Sequence, residues 1–387
     1  MTLLYGARLV TPRGIADPGW IRIAGGRIAA HGHGDPPEPA PEPAPGPGDS
    51  YLGGSWVLPG FTDVHVHGGG GFSFTEGGPE DARRAALFHR AHGSTRIVAS
   101  LVTAPADELA ARVALLASLA DDGLIDGIHL EGPFLSAVRC GAQDPRYLIA
   151  PDVELFDRLH QAARGHLKII TIAPELPGAT ELIRAATAAG VVAAAGHTDA
   201  SYETTVHAID AGVAHATHLF NGMRPLEQRQ PGPAGALLDQ QVSCEAICDG
   251  THLHDATVRL IARAAGPGNL VLVTDAMAAA GMPDGGYRLG QQEVTVSGGV
   301  ARLAEGAPGA GSIAGSTATM AHIVRHAITS AGLPVTDVAA AAATTPARII
   351  GLSRDTGAIE PGLAADLVVL DDNFRLARTM ARGVWVS

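Results

Sequence analysis

Two histidines, His65 and His67, stand two residues apart in the stretch LPGFTDVHVHGGGG, residues 58–71. In a β-strand, residues i and i+2 point to the same face, so both imidazoles project side by side. Gly68 to Gly71 then let the backbone approach whatever those rings hold. Neutral imidazole is the commonest protein metal ligand, and the pair reads as half of a metal site. The competing reading is an ordinary strand whose histidines are satisfied by hydrogen bonds. Four further residues decide between them. Glu131 ends GIHLE, His197 ends AAAGH, His218 ends HATH and Asp275 follows VLVT. Each is isolated at the end of an apolar run, where a purely structural polar residue is costly to bury. One such residue is ordinary, but a set of them at matching positions points to a metal site.

His65, His67, Glu131, His197 and His218 supply enough ligands for one or two divalent ions. The N/O donor set suits Zn²⁺, with Fe²⁺, Mn²⁺ and Co²⁺ as competitors. Glu131 is able to bridge two ions. A carboxylated lysine, another bridging group, is excluded, because the single lysine, Lys168, opens its strand and falls at the opposite end. A metal lowers the pKa of its bound water towards about 7. Asp275, not needed as a ligand, is placed to take the proton and pass it to a leaving amine. Hydrolysis of an amide-like bond is the chemistry expected.

The elements that position these residues alternate. Apolar runs of strand length (Phe61–His67, Thr95–Ser100, Ile125–Glu131, Leu167–Ala173, Val191–His197, Ala214–His218, Cys244–Cys248, Leu270–Thr274) are separated by helix-like segments such as Asp81–His92, Ala106–Ala120 and Tyr202–Ala211. Strands alternating with helices imply parallel pairing and right-handed crossovers. This many units over this length match an α/β fold of the (β/α)₈ TIM-barrel type, whose chemistry sits at the C-terminal ends of its strands. The polar residues fall at those ends. Before the barrel, Leu3–Val10, Trp20–Ile23 and Arg27–Ala30 read as short strands, with Gly25-Gly26 as a hairpin turn. Gly34 to Asp49 is too proline-rich for helix or central strand and reads as an extended surface loop. After the barrel, 287–303 reads as a β-hairpin insertion around Ser297-Gly298-Gly299, and helical segments follow. Gly357-Ala358-Ile359, Asp366–Leu370 and Gly383–Val386 return to strand pattern. The expected layout is a small β-domain built from both termini, 1–56 with 353–387, and a barrel over 57–352.

Composition narrows the function. The chain has 387 residues, 46% hydrophobic and 4% aromatic, so its core is built of Ala, Val, Leu and Ile. A formal charge of −12 without a basic cluster argues against nucleic acid or an anionic membrane surface as partner. An anionic small molecule stays open, since one or two arginines bind it in a pocket. No run approaches the roughly 18 apolar residues of a membrane helix, and Met1 to Val10 lacks the long apolar region of a signal peptide. Three cysteines (Cys140, Cys244, Cys248) give no disulfide framework. A cytoplasmic protein is expected.

Several segments carry a resemblance: PGFTDVHVHGGGG, HLEGPFL, GHTDA, THLFNGM, RQPG, DGTHLH, TDAM and the closing GAIEPGLAADLVVLD. Together they resemble the amidohydrolase superfamily and, within it, the family of N-acetylglucosamine-6-phosphate deacetylases, over nearly the whole chain. The resemblance implies a barrel with a small β-sandwich domain. It also implies hydrolysis of the acetamide of N-acetylglucosamine 6-phosphate to glucosamine 6-phosphate and acetate. By it, Glu131, His197 and His218 form the common metal site, His65 and His67 a second position that some members keep, and Asp275 the acid–base. Asn221 and Gly222 match contacts to the sugar, and Arg229 and His252 the groups near the phosphate. Ala314 and Gly315 match a loop lining the site, and a homodimer is implied. Arg229 suits that task, since a guanidinium fork matches phosphate geometry.

The chain departs from the family pattern at two places. Ala142-Gln143 stands where the family carries Ala-His before Asp-Pro, and glutamine donates a hydrogen bond but carries no charge. Glu227 and Gln228 precede Arg229 where histidines are common. These changes leave the metal ligands intact and bear on the substrate. Rival expectations are N-acetylgalactosamine 6-phosphate or another N-acetylated sugar, a cyclic amide, and a catalytically silent metal-binding scaffold.

Overall fold

The computed structural model describes residues 1–36 and 50–386. Of the proline-rich segment, Gly34 and Asp35 form a bend, and 37–49 lie outside the described residues, as does the loop expected there.

Eight parallel strands run in sequence order around one sheet: Phe61–Val66, Ser94–Leu101, Gly127–Glu131, Leu167–Ile172, Val192–Ala195, Val213–Ala216, Ser243–Ala246 and Leu270–Leu272. The ring closes where Val66 bridges Ala276 in parallel and the Asp275 N–H donates to the His65 carbonyl at 2.8 Å. Nearly every residue of these strands is buried, as expected of strands covered on both faces. Helices lie between them, and two show why they start where they do. The Asp152 side chain accepts from the N–H groups of Glu154 and Leu155, and Ser201 Oγ accepts from Thr204 N–H. The helix Gly232–Asp239 was not legible from sequence, because GPAGALLD opens with residues that normally break one. Pro at its first turn removes an N–H that has no intrahelical partner anyway.

A mixed sheet is built from both ends of the chain, in the order Val384–Trp385, Leu376–Ala381, Leu367–Leu370, Trp56–Pro59, Thr2–Thr11, Gly14–Ala24, Arg27–His33. The termini meet where Leu367–Leu370 pairs antiparallel with Trp56–Pro59. Leu4, Leu9, Ile21, Ile28, Val57 and Leu367 are its buried core. The fold is thus a (β/α)₈ barrel with a small β-domain of both termini. Two details differ from the sequence reading. Gly357 to Ile359 form bends rather than a strand, since Gly357 takes φ 99°. Leu376–Ala381, whose middle carries the adjacent polar residues Arg378 and Thr379, is a strand that its polar residues had hidden.

By contacts the chain forms two compact units, Met1–Asp63 with His89–Arg96 and Met320–Ser387, and Val64–Phe88 with Ile97–Thr319. In the first, Arg96 is 2% exposed and donates to Asp366 at 2.8 Å and Asp355 at 2.7 Å. In the second, the insertion is a three-stranded meander rather than a hairpin: Gly285–Leu289, Gln292–Ser297 and Val300–Leu303. Its alternate residues Val294, Val296, Ala301 and Leu303 pack with Met277, Ala279 and Val102, which seats it beside the strand ends. Among the described residues, no helix is long and apolar enough to cross a membrane.

Candidate metal centre

The strand ends bring the sequence-derived residues into one place. Two groups of three have ligand atoms within 4.8 Å of one another: Glu131 with His197 and His218, and His65 with His67 and Asp275. In the first, Glu131 Oε1 lies 3.0 Å from His197 Nε2 and 2.9 Å from His218 Nε2, and the two nitrogens are 3.1 Å apart. In the second, His65 Nε2 and His67 Nε2 are 3.1 Å apart, and Asp275 Oδ1 lies 3.4 and 3.1 Å from them. Glu131 Oε2 stands 3.2 Å from His67 Nε2 and so faces both groups. Asp275, read from sequence as standing outside the ligands, is a member of the second group by geometry.

These spacings fit a divalent cation. Donor atoms about 2.0–2.1 Å from a tetrahedral ion lie roughly 3.3 Å apart, close to the separations seen. The proton positions fit as well. His197 Nδ1 sits 2.8 Å from the Arg139 carbonyl, and His65 Nδ1 sits 2.9 Å from Glu245 Oε2. Both partners are acceptors, so Nδ1 carries the hydrogen and the Nε2 lone pair faces the cluster.

Electrostatics agree. Burial raises the Glu131 carboxyl, but His65 and the hydrogen bonds from His197 and His218 more than offset this and hold it well below the usual carboxylate range. Burial lowers His67, while Asp275 and Glu131 raise it by more, to about 8. Asp275 is raised by burial and lowered further by His65 and His67, and so is ionised at neutral pH. Buried carboxylates facing imidazoles call for positive charge between them, which protons or a divalent ion supply.

The backbone here is unusual. His197, His218 and Asp275 take φ values of 46°, 28° and 48°, in or near the left-handed region that non-glycine residues rarely visit. Such turns aim a side chain back over the strand end. Fixed hydrogen bonds hold them: Thr198 N–H to Gly222 carbonyl at 3.0 Å, and Ser316 N–H to Asp275 carbonyl at 2.7 Å.

A cavity of about 290 Å³ opens over both groups. Ala142, Gln143, Asn221, Gly222, His252 and Gly315, which the sequence offered as substrate contacts, are among its lining residues. Gln143 is 3% exposed, and both ends of its amide are engaged: Oε1 accepts from Thr103 N–H at 2.8 Å, and Nε2 donates to Glu131 Oε2 at 2.7 Å. His252 Nδ1 is held 2.7 Å from Asp249 Oδ2. Ala314 is buried beneath the wall, packed with the meander. Arg229 is exposed beyond the cavity wall, next to the Glu227–Gln230 bridge. Sequence reasoning missed Gly141, Leu289, Ser312 and Ile313, which also line the cavity. It missed Glu245 too. The signal for Glu245 was present, a lone carboxylate inside the apolar run SCEAIC.

A closed parallel barrel with histidine and carboxylate ligands converging at its C-terminal end defines a metal-site hydrolase of the amidohydrolase class. The Amidohydrolase family model matches residues 56–386, and the chain belongs to this family. It is similar in structure to a mutant N-acetyl-D-glucosamine-6-phosphate deacetylase from Mycobacterium smegmatis in complex with N-acetyl-D-glucosamine-6-phosphate. That match has 45% identity and a TM-score of 0.93 over 100% of this chain and 99% of the other. It is 36% identical over 349 residues to the N-acetylglucosamine-6-phosphate deacetylase of Bos taurus, covering 86% of this chain and 84% of that one. It is 33% identical over 390 residues to an N-acetylgalactosamine-6-phosphate deacetylase of Escherichia coli O157:H7, covering 100% and 99%.

Proposed function

We propose that this chain hydrolyses the acetamide of N-acetylglucosamine 6-phosphate, giving glucosamine 6-phosphate and acetate. The observation that carries the reading is one cavity in which the ionised Asp275 carboxylate and the Glu131–His197–His218 donor triangle face the same space. The similarity to deacetylases over the full chain supports the acetamide as the bond broken.

Glu131, His197 and His218 would hold the ion, with His65 and His67 supplying a second position. A divalent ion, when bound there, supplies Lewis acidity to a carbonyl oxygen and acidifies water. Asp275 accepts a proton from the attacking water and delivers it to the nitrogen as the amine leaves, balancing the hydrolysis. Its carboxylate is fit to accept because it is ionised, and its main chain is pinned on both sides by His65 and Ser316. Gln143, held at both ends of its amide, orients Glu131 and borders the acyl group. Asn221, Gly222, Ala314 and Gly315 shape the sugar's berth. His252 faces the phosphate, and Arg229 is assigned to it from outside the wall. Zinc is the metal proposed, the homodimer the assembly and the cytoplasm the compartment.

Acetate release by the zinc-reconstituted chain tests this. N-acetylglucosamine 6-phosphate, its unphosphorylated sugar and N-acetylgalactosamine 6-phosphate are run side by side. Release fastest from the first is expected. Faster release from the galacto epimer would move the substrate to that sugar, the rival that the Escherichia coli relative favours. No release from any, with zinc bound, would sink the reading.

A further inference from the structure

Glu245 lies in the seventh barrel strand, Ser243–Ala246, with 0% exposure, and has no part in the reaction described above. Ionising a carboxylate this deep is costly unless its lone pairs are filled. Three donors fill them. Oε2 accepts from His65 Nδ1 at 2.9 Å and from the His218 backbone N–H at 2.8 Å. Oε1 accepts from His215 Nε2 at 3.0 Å, and His215 Nδ1 is held 2.8 Å from Ser243 Oγ. The Glu245 carbonyl also accepts from Leu219 N–H at 3.0 Å. One oxygen thus grips a residue of each ligand group: the ring of His65 and the main chain of His218, whose φ of 28° needs holding.

We propose that Glu245 is a positioning residue for the metal centre, acting through the Nδ1–H of His65. An acceptor at that nitrogen keeps the hydrogen there and turns the Nε2 lone pair towards His67 and Asp275. A glutamine in its place offers only a neutral oxygen, a weaker acceptor, and so loosens the hold that keeps the His65 hydrogen on Nδ1 and off Nε2, where it blocks ligation. A barrel needing only to fill this space would use an apolar side chain, which carries no desolvation cost. The inference rests on the metal-site reading and not on the identity of the amide substrate.

The test is a zinc titration of the full chain against a chromophoric chelator, with the melting temperature of the zinc-free protein measured alongside. Glu245→Gln keeps the side chain's size and is expected to weaken zinc binding by about 10- to 100-fold. In a His65→Asn background the same change is expected to cost a few-fold at most. Wild-type affinity in Glu245→Gln would overturn the proposal, as would an undiminished loss in the His65→Asn background. Should Glu245→Gln not fold, ¹⁵N-histidine spectra of the zinc-loaded wild type decide. The His65 resonance, identified by its loss in His65→Asn, is expected to carry its hydrogen on Nδ1, and a hydrogen on Nε2 would overturn the idea. A wild type that retains no zinc fails the metal-site reading itself, an outcome separate from any of these.

Discussion

The backbone N–H of Asp275 donates to the carbonyl of His65 at 2.8 Å, while the Asp275 carboxylate comes within 3.4 Å of that residue's Nε2. One contact closes the barrel between its first and last strands. The other places the proposed acid–base among the histidines. Closure of the sheet and assembly of the site are therefore the same event.

Asp275→Asn preserves shape and removes the base. A positioned general acid–base contributes about 10²–10⁴-fold, so kcat should fall by that factor. Zinc at Glu131, His197 and His218 should remain. Steady-state kinetics with metal analysis checks this, and near-wild-type turnover with zinc bound would show that the proton travels another way.

Glu131→Gln removes the charge shared by His197 and His218. The two imidazoles, 3.1 Å apart at Nε2, then lose their common carboxylate. Zinc affinity should fall by more than the roughly 100-fold typical of supporting residues, and activity with it. Dialysis against a chelator should likewise silence the wild type and added zinc restore it. Activity that survives both treatments would exclude a metal.

Gly222 takes φ 60°, and a Cβ there would sit 2.8 Å from His197 Nδ1, the atom that donates to the Arg139 carbonyl. Gly222→Ala should therefore displace the His197 ring, costing about 1–2 kcal/mol in backbone strain and weakening zinc binding more than it lowers the melting temperature. An unchanged zinc affinity would mean that the ring has room to yield.

Arg96 pairs with the buried Asp366 and the half-buried Asp355; Arg96→Met leaves Asp355 its bond from Arg27 but strips the buried Asp366 of its guanidinium partner. A loss of about 3–5 kcal/mol in unfolding free energy is expected by denaturant titration. Asp355 adds a pH dependence. Burial raises its carboxyl, while Arg96 and Arg27 lower it by more, so its folded value lies below the unfolded one. The stabilisation is complete above about pH 4 and is lost as the pH falls. Melting temperatures of wild type and Asp355→Asn should converge from pH 7 to pH 3. A constant gap would assign the residue's contribution to packing.

The order of strands and helices, and the six polar residues at strand ends, were legible in the sequence because a parallel barrel writes both into local pattern. Buried strands must be apolar throughout, so a histidine or carboxylate at the end of such a run stands out. His65 and His67 were readable for a further reason: a period of two alone puts both on one face. Glu245 shows in the sequence only as a lone carboxylate in SCEAIC; its partner, His65, lies 180 residues away in the chain, and no local pattern names it. The same holds for Leu289, Ser312 and Ile313, brought to the cavity by a meander whose seat is a matter of packing. Arg229 is a different case: its assignment to the phosphate rests on the motif, and the fold leaves it exposed and outside the cavity's lining. Chemistry that depends on residue type and strand period belongs to the sequence. Which residues fill each other's lone pairs is decided only when distant strands close into a ring, because hydrogen bonds depend on distance in space.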